Sequence, residues 1–163
     1  MLRFNWLEDR LLAFLLKRLK PIMTRTVFRE VLGKFVLVAI EAVILRKSES
    51  GIEVFLTRRS VDDLDWPNMW HIPGSYLRQS DTGHEDALKR TQDEELAWQF
   101  LSTQFVGFRF LINATGKSQH MGYLCTLEGV PPTGRFFPVD QLPTDFISEQ
   151  QEFLNIALER FQA

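Results

Sequence analysis

Trp70-His71-Ile72-Pro73-Gly74-Ser75, followed after a polar loop by Asp86-Ala87-Leu88-Lys89-Arg90-Thr91-Gln92-Asp93-Glu94-Glu95-Leu96, decides the fold of this chain. The stretch reads as a strand, a tight Pro-Gly turn and a helix that ends on two adjacent carboxylates. Thr82-Gly83-His84-Glu85 fits a capping box, with Thr82 as N-cap and Glu85 reaching back to it. Negative charge is disfavoured at a helix C-terminus. Glu94 and Glu95 are therefore better explained if a cation binds there than as a solvated helix end.

Around this stretch the hydrophobic pattern alternates between the two regular periods. Phe35 to Leu45 is a long apolar run, as for a strand buried on both faces. Ser48-Glu49-Ser50-Gly51 supplies a turn, and Ile52 to Thr57 returns as a second strand. Arg58 and Arg59 follow, then the acidic loop Asp62-Asp63-Leu64-Asp65 and Trp66-Pro67-Asn68-Met69. Beyond the central helix, Gln104 to Ile112 and His120 to Leu127 read as strands separated by Asn113 to Lys117. Pro131 to Gly134 reads as a loop, and Ser148 to Phe161 as a closing amphipathic helix. Strands that precede or flank two helices predict a mixed α/β sandwich. No internal repeat or low-complexity segment is present.

The composition is that of one ordinary globular domain, with 163 residues, 45 % hydrophobic, 25 % charged and a formal charge of −2. That balance gives no reason to expect nucleic-acid binding. The single cysteine, Cys125, lies in the apolar run Met121 to Leu127 and reads as a small core side chain. A reducing, cytoplasmic setting fits it. Charge is uneven, however: residues 1–35 hold eight Lys/Arg against three acids, and the remainder 11 against 18. This marks residues 1–34 as a separate N-terminal element preceding a domain over 35–163.

Phe4, Leu7, Leu11, Phe14 and Leu15 recur at helical spacing, and Leu12, Leu16 and Leu19 widen the stripe. Pro21 disfavours helix at Lys20, and a second helix is predicted from Thr24 to Leu32, with Gly33 near its end. The run Leu11 to Leu16 is too short to span a bilayer, which takes about 20 residues. No small-residue cleavage site follows it, which argues against a signal peptide. The broad stripe favours packing on the domain, or on a second copy as a homodimer, over lying on an anionic membrane surface.

The motif resembles the Nudix box, and the resemblance runs from about Phe35 to Phe161. Trp70-x-x-Pro-Gly, Arg90 and the pair Glu94-Glu95 carry it. Arg135-Phe136-Phe137-Pro138-Val139-Asp140-Gln141-Leu142-Pro143 is similar to the family's aromatic-proline loop ending in Leu-Pro. The resemblance implies an α/β/α sandwich with a mixed sheet. It also implies Mg²⁺- or Mn²⁺-dependent hydrolysis of a nucleoside diphosphate linked to another moiety, such as a nucleotide sugar. A helix puts i, i+3 and i+4 on one face, where carboxylates can converge on a hard cation that activates water.

The box is degenerate. Thr91 stands where the family has its first carboxylate of the trio, Thr82 where it has another glutamate, Ala97 and Ser75 where it has glycines. The resemblance implies Glu94 and Glu95 as metal ligands and Arg90 as the group that orients them. His120, at the head of its strand, is the candidate base, on the pattern of relatives that use a histidine from elsewhere in the fold; a loop histidine is the plain alternative. His84, seven residues before Thr91 and roughly on the same face, could approach the site, but reads rather as a surface histidine of the first helical turn. Arg58 and Arg59 fall on the family's substrate side, and as strand neighbours only one of them can face a pocket. Gly74 closes the turn, and Trp70 is either a base-stacking surface or core. The losses support a second reading, a catalytically silent Nudix-fold module that binds a nucleotide or a protein.

Overall fold

The computed structural model describes residues 6–18, 24–49, 51–63, 65–113 and 116–162. Phe4, Leu19, Lys20, Pro21, Ser50, Leu64, Ala114 and Thr115, used in the pattern above, lie outside them. Among the described residues thirteen segments follow in order. They are α1 (Trp6–Lys17), α2 (Arg25–Leu32), β1 (Leu37–Ser48), β2 (Gly51–Arg58), β3 (Trp70–His71), β4 (Gly74–Tyr76) and α3 (His84–Arg90). A π-helical turn (Thr91–Leu96), β5 (Ser102–Asn113), β6 (Gly116–Thr126), β7 (Gly134–Pro138), a 3₁₀ turn (Ser148–Gln150) and α4 (Gln151–Gln162) complete the chain.

One mixed sheet carries the fold. Its order is β3-β2-β1-β6-β5, with β4 pairing β1 and β7 pairing β2. β1 and β6 run parallel, and the other pairs are antiparallel. Alternation along the strands sends side chains to two cores. Val43, Leu45, Val54, Leu56 and Leu124 face Phe153, Leu154 and Ala157 of α4. Ile40, Ala42, Ile44 and Phe55 face Ala87, Leu88 and Leu96 of the central helix. The sheet is thus sandwiched between α4 and α3, and each fully buried Phe or Leu contributes about 1.5–3 kcal/mol of transfer free energy. This is the expected α/β/α architecture, and the apolar run of β1 is buried because it lies between both layers.

Three local expectations change. Gly134–Pro138 is a strand rather than the start of a loop, because it pairs with Glu53 to Thr57 of β2. The cap of α3 is shifted by one residue: Gly83 is the N-cap, extended at φ −166°, and no side chain caps it. Thr82 instead gives its N–H and its hydroxyl to Asp86 Oδ2, at 2.6 and 3.0 Å, so the reaching carboxylate is Asp86 and not Glu85. Third, the apolar stripe of α1 is largely uncovered among the described residues: Leu7, Leu11, Leu12, Phe14, Leu15 and Leu16 are all about half exposed or more. No helix among the described residues is long and apolar enough to cross a membrane.

The end of the motif helix is not an ordinary α-helix. Thr91, 1 % exposed, turns its hydroxyl back onto Ala87 O at 3.1 Å. The backbone then widens into the π-helical turn, a form that is frequent at functional sites. Ala97 closes it in the left-handed region at φ 50°, where glycine is the easier residue.

Candidate functional site

Pro73-Gly74 brings three layers of the molecule to one point. Ala42 N–H donates to Pro73 O at 2.8 Å, which lays the turn against β1. A Cβ on Gly74 would stand 2.5 Å from Ile40 O and 2.9 Å from Glu41 Oε2. Only glycine therefore allows this approach. The freed Gly74 N–H donates to Glu95 Oε2 at 3.0 Å. Glu95 Oε1 accepts the Thr57 hydroxyl at 2.6 Å and lies 3.2 Å from His71 Nε2. Thr57 and His71 also contact each other at 3.0 Å. Glu95 is thus a clasp tying the π-helical turn to β2 and to the Pro-Gly turn.

Glu94 takes a different direction. Its side chain is 60 % exposed and pairs with Arg78 at 3.2 Å. Arg90 spends its donors on the loop before the helix: Asp81 at 2.6 and 2.8 Å, Tyr76 O at 2.8 Å and Ser75 Oγ at 3.3 Å. Those are its hydrogen bonds, and the glutamates are not among its partners. The Arg90 guanidinium holds the Asp81 carboxyl below the usual carboxylate range.

A cavity of about 320 Å³ opens beside the turn, on the α4 side of the sheet. Neither Glu94 nor Glu95 lines it. Its floor is a buried polar chain. Glu41 Oε1 meets His120 Nδ1 at 2.5 Å, and His120 Nε2 meets Ser118 Oγ at 2.7 Å. Gln150 Nε2 donates to Glu41 Oε2 at 2.9 Å, while its Oε1 accepts Ile72 N–H at 2.8 Å. Glu41, Ser118, His120 and Gln150 are each less than 10 % exposed. Burial foremost, and then the Glu41 charge, push the Tyr76 phenol up to about 12. Phe28 of α2 stacks edge-on against the Tyr76 ring at 5.5 Å, so the N-terminal element contributes to the cavity wall.

Of the residues singled out from the sequence, His120, Arg59 and Gly74 line this cavity. Arg58 points away, bonded to Asn68 and Asp145 at 2.8 Å each. Trp70 is core: it is 8 % exposed and packs edge-on against Phe137. His84 lies outside the cavity, bonded to the Tyr123 hydroxyl at 2.9 Å. Glu41, Thr57, His71, Tyr76, Trp66 and Gln150 were not foreseen. One signal was available for Glu41, the single acid in an eleven-residue apolar strand run, where an unpaired carboxylate is too costly to bury. Cys125 is buried as expected, and burial pushes its thiol up.

The donor set does not fit a preformed metal centre. Both oxygens of Glu95 are engaged, Glu94 turns outward, and Thr91 offers only a hydroxyl already bonded to backbone. Among the described residues no three His, Cys, Asp or Glu side chains converge as ligands.

No protein-family model and no curated protein matches this chain by sequence. Solved structures do match by shape. The NUDIX domain of Shewanella oneidensis NrtR, complexed with ADP-ribose, has a TM-score of 0.62 at 19 % identity, over 85 % of this chain and 99 % of that one. NrtR itself, from the same organism, gives 0.63 at 18 % over 77 % of this chain; the match spans about 63 % of NrtR's length. A MutT NUDIX hydrolase from Burkholderia pseudomallei gives 0.64 at 20 %, over 75 % and 98 % of the two chains. The chain has the Nudix fold.

Proposed function

We propose that this chain is a Nudix-fold module that binds a nucleoside-type ligand in the cavity beside Gly74, without a metal centre built on Glu94 and Glu95. The observation that carries the reading is the commitment of Glu95. Its two oxygens hold Thr57, His71 and the Gly74 N–H, so it fixes the turn that walls the cavity. A cavity of about 320 Å³ falls within the usual range for small-molecule sites. The neighbour fold complexed with ADP-ribose supports a ligand of nucleotide type.

Metal-dependent hydrolysis of a nucleoside diphosphate derivative is the second reading. The register of Arg90, Glu94 and Glu95 with the Pro73-Gly74 turn favours it. A nucleotide and nucleotide-sugar library, screened with Mg²⁺ or Mn²⁺ for turnover and for thermal shift, separates the two. The binding reading expects raised melting temperatures with some nucleosides, no dependence on metal, and no product. Metal-dependent turnover that a Glu94→Gln, Glu95→Gln double variant abolishes overturns it.

A further inference from the structure

Three buried side chains stand in the order of a nucleophile, its base and the group that orients the base. Ser118 and His120 alternate along β6 and so share one face of it. Ser118 Oγ lies 2.7 Å from His120 Nε2, and His120 Nδ1 lies 2.5 Å from Glu41 Oε1 on the neighbouring strand β1. The far end of the chain fixes the direction of these bonds. The Ile72 N–H needs an acceptor, so Gln150 turns Oε1 to it and Nε2 to Glu41 Oε2. A carboxylate offers only acceptors, which puts the His120 proton on Nδ1. The neutral ring then has its lone pair on Nε2, and the Ser118 hydroxyl donates to it. Both ring nitrogens of His120 are spent in this way, so the group on which it can act is Ser118.

Burying such a chain costs free energy, and apolar side chains of similar volume would hold the sheet at least as well. Its position gives it a use. Glu41, His120 and Tyr76 line the cavity, and Ser118, 4 % exposed, meets both His120 and the Tyr76 hydroxyl. The Tyr76 phenol, pushed up to about 12, keeps its proton at neutral pH. It is therefore a donor at hand for negative charge developing on a substrate oxygen. Phe28, Leu111 and Ile147 add apolar surface to the same wall.

We infer that Ser118, His120 and Glu41 form a triad that hydrolyses a carboxylic ester with a compact, apolar acyl group, Ser118 as nucleophile and His120 as its base. The inference goes beyond nucleoside binding and does not rest on it. Ser118 Oγ attacks the ester carbonyl carbon while its proton passes to His120 Nε2, and Glu41 stabilises the imidazolium. The bond from that carbon to the leaving oxygen breaks, and the alcohol departs with the proton from Nε2. Water attacks the acyl-Ser118, gives a proton to His120 and releases the acid, which restores the serine.

Diisopropyl fluorophosphate is a compact probe of such a serine, read on the full chain by intact mass and peptide mapping. The expected result is one adduct per chain, formed with loss of fluoride and mapped to Ser118. Hydrolysis of p-nitrophenyl butyrate by the native chain stops once the adduct has formed. His120→Gln and Glu41→Gln slow the labelling by roughly a hundredfold, as for loss of a general base. Mapping on the native chain decides the matter without any variant: no adduct, or an adduct on another side chain, overturns the triad. Labelling of Ser118 at the native rate in the His120→Gln variant overturns it too. Thermal shift with the nucleoside library decides the nucleoside reading separately, whatever the labelling shows.

Discussion

At Gly74 the chain has room for a backbone and nothing more, since Ile40 O and Glu41 Oε2 occupy the space a methyl group needs. Gly74→Ala must therefore push the turn off β1, and with it the Gly74 N–H off Glu95. The expected cost is about 2–4 kcal/mol, as for other changes that strand buried polar groups. Thermal unfolding should show a fall of roughly 5–15 °C for a domain of this size. A melting temperature within about 2 °C of the native chain would contradict the clasp. Gly74, Arg90, Glu94 and Glu95 were legible in the sequence as a register, but their partners were not. The adjacent acids looked equivalent in a string. In three dimensions one is a clasp and the other pairs with Arg78 in solvent, because adjacent residues of a helical turn project in different directions.

At the scale of elements, Asp81 and Arg90 lock the loop before α3 to the end of that helix through two short, largely buried hydrogen bonds. The Arg90 hydrogen bond holds Asp81 below its ordinary range. A carboxyl depressed in the folded state adds stability that is present above its unfolded value, near 3.9, and is lost as pH falls through the folded one. Asp81→Asn should thus cost about 1.5–3 kcal/mol near pH 7, as for the loss of hydrogen bonds to a charged group. The difference from the native chain should shrink as pH drops below about 4. Denaturant melts at pH 7 and pH 3 measure both, and a gap that stays constant with pH would contradict the assignment. The strands and helices themselves were readable from periodicity, since β1 keeps its apolar run and α4 its stripe. β7 was not, because what makes Gly134–Pro138 a strand is its distant partner in β2 and not its own pattern. The helix start was readable in kind but misplaced by one residue, since Asp86 competes with Glu85 for the same Thr82 groups.

In the whole molecule the sheet separates two things that the sequence places side by side. The motif helix packs on one face, while the cavity opens on the other, with Glu95 reaching only as far as the turn between them. The fold was legible because the strand-turn-helix stretch fixes how the motif helix meets the sheet. The cavity was not, since its wall draws on α2, β1, β6, the Arg59 to Trp66 loop and the turn before α4, which only tertiary packing brings together. On the proposed reading, Glu94 and Glu95 hold protein groups rather than a metal ion. Titrating the chain with Mn²⁺ and following the relaxation of water protons checks this. No stoichiometric site is expected at millimolar Mn²⁺, and no difference between the native chain and the Glu94→Gln, Glu95→Gln variant. One tightly held Mn²⁺ per chain that disappears in that variant would overturn the reading.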